Sequence, residues 1–320
     1  MQKRMSTMKG FDFILEKSFD THIPTLTDES RLLLMCHAGE LNDLLDFFGW
    51  DKDTVDECTN LDEKVRFTNY EDFDFISIIY AELGAKGVVQ REVNLFFSNN
   101  CLTLVLPETP GASLTKLAEK LWAAIPVASG RSFPLAYLYY VIFDNLTSYY
   151  SDSLEVLENK IEALTDSIET MVNKEQVLEI MPMRKKAYTY KKLLRALSYV
   201  GGQVLIDEHN FLDSSQHRYF RDVDTRLAKL HDFADSLYVM SNDLLNLYDS
   251  KFNAQVNESV RKLTMITLFF GPPTVIAGIY GMNFINMPEL EWNFGYPMSL
   301  LIMLATGIVI YGFLKVKKWL

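Results

Sequence analysis

Two stretches, Leu263 to Met282 and Met298 to Leu314, carry no charged residue, and a short turn with two glutamates separates them. A helix that crosses a bilayer needs about 20 predominantly apolar residues. The first stretch meets this. The second has 17 residues and sits at the short end of the range, with Tyr296, Tyr311 and Trp319 placed to serve as interfacial anchors. Both are predicted to span. Upstream, apolar residues recur at helical spacing almost without a break after Pro134. Leu154, Leu157, Ile161, Leu164, Ile168 and Met171 alternate steps of three and four, and so do Val223, Leu227, Leu230, Ala234, Leu237, Ser241, Leu244 and Tyr248. These are coiled-coil-like seams. No Pro or Gly interrupts Tyr219 to Phe270, so the second seam is predicted to run into the first span as one stalk helix reaching Tyr280. Gly201-Gly202 and the polar stretch Asp207 to His217 read as the turn between the helical arms. Asp207, Glu208 and Asp213 there can touch cations, although a solvated loop is the plainer reading.

Before Pro134 the periodicity is mixed. Val93 to Phe97 and Leu102 to Leu106 flank Ser98-Asn99-Asn100 and predict a hairpin. Phe73 to Tyr80 reads as another strand, and Glu40 to Phe48 and Leu114 to Ala124 as helices. An α/β domain fits, without a readable strand order.

Charge adds direction. Arg261 and Lys262 precede the first span, Lys315, Lys317 and Lys318 follow the second, and Glu289 and Glu291 lie between. The positive-inside tendency then puts both termini in the cytoplasm and the turn outside. With a total charge of -11 and a balance of +3 from Arg261 onward, residues 1 to 260 carry -14. That disfavours nucleic acid, which needs clustered Lys and Arg, and favours cations as partners. The three cysteines, Cys36, Cys58 and Cys101, lack a C-x-x-C pair and suggest reduced thiols. Met1 to Gly10 is basic and polar, so no signal peptide is expected.

On a helical wheel Asn257, Val260, Thr264, Thr267, Gly271, Thr274, Gly278 and Gly281 form one line, most of them small or hydroxylated. Two readings compete: a helix-packing surface, or the polar lining of a pore. Two helices per chain cannot enclose water, so a pore requires several copies around an axis. Pro272-Pro273 removes two backbone donors within the span and permits a bend.

Tyr280-Gly281-Met282-Asn283-Phe284, followed by Met287-Pro288-Glu289-Leu290, Trp292, Gly295-Tyr296-Pro297 and the basic end from Lys315 to Leu320, resembles the CorA family of magnesium and cobalt channels. The resemblance extends back through Asn257-Glu258 and Tyr219-Phe220-Arg221-Asp222-Val223. It implies an α+β fold: an N-terminal cytosolic α/β domain, a long coiled-coil-like helical stalk and two C-terminal transmembrane helices, in a funnel-shaped homopentamer. The expected division is a cytosolic α/β domain over 1–134, helical arms and stalk over 135–260, a pore-lining first span over 261–284, an external loop over 285–296, and a second span with a basic cytosolic tail over 297–320.

The resemblance further implies that Gly281, Met282 and Asn283 form a selectivity filter. The pore line becomes Asn257, Val260, Leu263, Thr267, Gly271 and Thr274, with Leu263 in place of Thr264. Family members often have a bulky apolar residue where this chain has Gly271 and an apolar one where it has Pro273; the candidate constriction here is Leu263. Glu289 can concentrate cations outside. Regulatory Mg2+ between subunits is implied, held by Asp222 of the stalk and by Glu71 and Asp72 of the α/β domain. The implied activity is passive influx of magnesium, also cobalt and possibly nickel, across the cytoplasmic membrane, with no enzymatic activity. A zinc transporter of the same superfamily is the nearest alternative. A membrane-anchored metal-dependent enzyme or receptor is the more distant one, and His22, His37, His209, His217 and His231 form no H-E-x-x-H motif to support it.

Overall fold

The computed structural model describes residues 8–20, 23–24, 27, 29–60, 64–84, 87–207, 209, 211–212, 214–282, 287–288, 291–317 and 319. The chain forms two compact units, one of Met1–Ser167 with Lys174–Leu245, the other of Ile168–Asn173 with Asn246–Leu320.

The first unit is built on seven strands: β1 (Lys9–Asp12), β2 (Lys17–Asp20), β3 (Leu32–His37), β4 (Arg66–Asn69), β5 (Asp74–Gly84), β6 (Gly87–Phe97) and β7 (Cys101–Leu106). Their order is β2-β1-β3-β7-β6-β5-β4, and β3 pairs with β7 in parallel. These two central strands are short apolar runs because both their faces are covered. The expected hairpin forms with Phe97 opposite Leu102, and the Ser98 N–H donates to the Cys101 carbonyl at 2.9 Å. β5 starts one residue later than its sequence pattern indicates and runs to Gly84.

One face of the sheet is covered by a 3-10 turn over Ala38–Asp43 and by α1 (Leu45–Phe48) and α2 (Lys52–Asn60). The single helix expected over Glu40 to Phe48 is thus split, and it ends at Gly49 in the left-handed region (φ 66°). Under it Trp50 stacks between Phe48 and Phe96, at 4.6 and 4.1 Å between centroids. The same core holds all three thiols, free and buried. Burial pushes Cys58 and Cys101 up to about 12 and Cys36 higher still, so they stay protonated.

α3 (Gly111–Ser129), α4 (Pro134–Thr170) and α5 (Gln176–Ile206) complete the core of this unit. Tyrosines tie the arms to the sheet: Tyr150 donates to the Ile79 carbonyl, and Tyr149 and Tyr190 both donate to that of Ala81. α6 (Ser214–Tyr280) is a single helix of 67 residues, about 100 Å at 1.5 Å per residue. Its seam from Val223 to Tyr248 is buried at every position named above, and so is that of α4 except Met171, which lies beyond the helix and is 70% exposed.

Gly201-Gly202 lies inside α5 and is not a turn. A Cβ at Gly201 would come within 2.9 Å of Leu227 Cδ1, so this glycine permits close approach of α5 and α6. Asp207 turns the chain, with φ 47°. It is buried, and its carboxylate accepts the N–H groups of Phe211 and Leu212 at 2.8 and 2.9 Å. It is a backbone cap where a solvated acid was expected; Glu208 and Asp213 lie outside the described residues.

Lys186 on α5 is 5% exposed, with its ammonium 5.0 Å from the Tyr190 ring centre. Burial, and then Lys160, lower its pKa to about 8. The unfolded chain holds this proton up to about pH 10.4. Between about pH 8 and 10.4 it therefore binds more protons than the folded chain, and the Lys186 contribution makes stability rise with pH. Lys186→Met should unfold at a higher temperature than the parent at pH 7.5, and the gap should narrow by pH 9.5; a constant gap would contradict this account.

Candidate ion-conducting face and regulatory carboxylates

From Asp249 to Tyr280 no described residue of α6 is buried. Val260, Leu263, Phe270 and Val275 are between 56% and 69% exposed. One copy of the chain leaves this apolar surface uncovered, which for a stable protein calls for lipid, further copies or both. α7 (Gly295–Val316) is similarly bare. Both helices are long and apolar enough to cross a membrane.

Along the small-residue line, Thr264, Thr267 and Thr274 share one geometry. Each hydroxyl donates to the carbonyl four residues earlier, on Val260, Leu263 and Phe270, at 2.8, 3.0 and 2.6 Å. The single proton is used within the helix, and the oxygen lone pairs remain as acceptors. Such a surface suits the water shell of a cation, whose outward groups are O–H donors. Gly271 and Gly278 leave open space between, since a Cβ at either would meet nothing within 4 Å. Asn257 and Val260 are exposed on the same helix, and the neighbouring Glu258 pairs with Lys262 at 2.7 Å.

The helix continues unbroken through Pro272 and Pro273, which leaves the Leu268 and Phe269 carbonyls without their helical donors. It closes at the Gly-Met pair: the Gly281 N–H donates to Ala277 at 2.9 Å and the Met282 N–H to Ile279 at 3.2 Å. Asn283 and Glu289 lie outside the described residues.

Asp222 is on α6 with its side chain 63% exposed, paired with Arg226 Nε at 3.1 Å. Arg226 also reaches Asp144 at 3.0 Å, and Asp144 reaches Lys120 at 3.1 Å. Burial acts to raise the Asp144 pKa, but hydrogen bonds and charge from Lys120 and Arg226 outweigh it and hold it low. Glu71 and Asp72 are exposed in the bend before β5 and line a cavity of about 520 Å³ with Trp50, Phe73 and His209. Among the described residues, no three His, Cys, Asp or Glu side chains are grouped to hold a metal ion, so one copy does not join Asp222 to Glu71 and Asp72 in such a cluster. The sequence reading missed the Asp144–Arg226 link; the i,i+4 spacing of Asp222 and Arg226 was its only local signal.

The sequence model of the CorA-like Mg2+ transporter proteins matches residues 36–318. The chain belongs to this family. As a CorA-like protein it is a divalent-cation transporter. It is 27% identical over 306 residues to the cobalt/magnesium transport protein CorA of Thermotoga maritima, covering 94% of this chain and 85% of that one. It is 30% identical over 187 residues to the magnesium transport protein CorA of Escherichia coli K12, covering 53% of this chain and 59% of that one. The complete structure of the CorA magnesium transporter from Methanocaldococcus jannaschii superposes with a TM-score of 0.79 at 22% identity over the full length of both chains. The ZntB cytoplasmic domain from Vibrio parahaemolyticus superposes at 0.63 with 11% identity, over 78% of this chain and all of that one. These two likenesses concern the fold.

Asp144→Ala would leave Arg226 and Lys120 without their shared acceptor. It should lower stability by about 1 kcal/mol, the pairs being partly screened by solvent, seen as a lower unfolding temperature of the detergent-solubilised protein. An unchanged temperature would show that the network is dispensable.

Proposed function

We propose that this CorA-like chain assembles as a homopentamer that conducts Mg2+, and with it Co2+ and Ni2+, passively into the cytoplasm, with both termini inside. The observation that carries the reading is the line of threonines bonded to their own helix and of open glycines on the uncovered part of α6, followed in sequence by Gly281-Met282-Asn283. Five such faces around an axis would make a path lined by hydroxyl acceptors. Mg2+ dehydrates reluctantly, so a filter of Gly281, Met282 and Asn283 would use neutral oxygens to orient its water shell without stripping it. Leu263, apolar and 65% exposed, is the proposed constriction in a line of Asn257, Val260, Leu263, Thr267, Gly271 and Thr274. Glu289 would gather cations at the outer mouth. The negative-inside potential supplies the driving force.

In the same reading 1–134 senses cytosolic Mg2+, 135–260 transmits its state, 261–284 and 297–320 span the membrane, and 285–296 faces outward. Regulatory Mg2+ would bridge Asp222 of one subunit to Glu71 and Asp72 of the next. Five soluble parts of -14 each repel one another, so bridging cations would hold the ring closed and their loss would release it. Arg226, already on Asp222, would compete with the metal and weaken its hold.

Proteoliposomes loaded with a magnesium-sensitive dye test the conduction reading: the parent should take up Mg2+ down its gradient and Asn283→Ala should largely abolish uptake. Uptake of Zn2+ but not Mg2+ would favour the zinc alternative. For gating, Asp222→Ala should raise flux several-fold at high internal Mg2+ and leave it near the parent level at low internal Mg2+. Equal flux in both proteins under both conditions would remove Asp222 from the gate.

A further inference from the structure

Away from the helix line, two arginines from distant parts of the chain converge without a carboxylate. Arg131 follows α3, its N–H bonded to the Ala128 carbonyl at 2.9 Å, and its guanidinium lies 4.0 Å from the Tyr137 ring centre. Arg218, early in α6, lies 5.3 Å from the Tyr219 ring centre and donates to the Tyr219 phenol oxygen at 3.5 Å. Both act on that phenol, Arg218 the more strongly, and hold its pKa below the ordinary value. Among the described residues neither arginine makes an ion pair. The acids near the adjoining Tyr140, Asp144 and Asp222, are already paired with Lys120 and Arg226.

Arg131 and Tyr219 line a cavity of about 120 Å³ whose other walls include Ala136, Tyr137, Tyr140 and Phe220, and Arg218 stands beside it through its contact with the Tyr219 phenol. The Tyr140 and Tyr219 rings are 5.4 Å apart and inclined by 50°. In a region whose overall charge is -14, two unmatched cations beside an aromatic recess call for an anion that also carries a ring. A terminal phosphoryl group has a charge of about -1.5 to -2 at pH 7, close to that of two guanidiniums, whose planar forks suit its oxygens. A carboxylate or a lipid phosphodiester brings only a single charge.

We propose that Arg131, Arg218 and the Tyr219 hydroxyl bind the phosphoryl end of a nucleoside phosphate, with the base seated in the recess walled by Tyr137, Tyr140 and Phe220. Base stacking on aromatic side chains tolerates any base, so the site discriminates by phosphate charge more than by base identity.

Titration calorimetry of the full-length protein in detergent, with EDTA present, tests this with ATP as the probe. Saturable binding is expected, weakened about tenfold by either Arg131→Lys or Arg218→Lys with no change in unfolding temperature. Inorganic phosphate and ribose 5-phosphate should bind at least about tenfold more weakly than ATP, for want of a stacked base. The proposal is overturned if ATP fails to saturate at millimolar concentration, if the lysine variants bind as tightly as the parent, or if ribose 5-phosphate matches ATP. Tighter binding of soluble dihexanoyl phosphatidic acid than of ATP would assign the site to a lipid headgroup and overturn it equally. Because EDTA removes divalent cations, the result does not depend on how the ion path is gated.

Discussion

One helix must satisfy two environments. Up to Tyr248, α6 buries its seam within the chain, at Leu227, Ala234, Leu237 and Leu244 among others; from Asp249 to Tyr280 it buries nothing. Apolar burial of roughly 25 cal/mol per Å² is available to the second part only from outside the chain. The regular helix through both parts therefore continues from a folded core into a surface that needs lipid or identical partners. The threonines on that surface obey the same economy of donors: with no water promised at membrane depth, each hydroxyl proton is placed on the helix's own carbonyls.

The core of the first unit explains how the helical arms are anchored. Tyr149 and Tyr190, from α4 and α5, donate to a single carbonyl on β5, and Tyr150 donates to another two residues away. Three phenols from two helices on one strand fix the arms to the sheet by directional bonds in addition to apolar contact, and the close passage at Gly201 brings α6 against α5. The bend carrying Glu71 and Asp72 immediately precedes that strand.

Long-period features were the most legible in the sequence. The seams of α4 and α6, the continuity of α6 as far as Tyr280 and the Ser98-Asn99-Asn100 hairpin were all written in apolar spacing and turn chemistry. The four-residue strands β1, β2 and β4 were not, because so short a run has no periodicity of its own and is set by its sheet neighbours. Gly201-Gly202 misled for a related reason: a glycine that admits a neighbouring helix and one that ends a helix look alike until the neighbour is known. Asp222 lies on the stalk helix, as its motif indicated. Arg226, which pairs with it, also bonds Asp144, 82 positions before Arg226 in the chain and beyond any local pattern.

The three sulfurs of the α/β core bear on the chemistry of the cargo. Softer divalent cations bind thiolate tightly, and a reactive cysteine within their reach would trap them. Cys36, Cys58 and Cys101 are 1% to 4% exposed and held in the protonated form by burial, so they present no thiolate to a passing divalent cation.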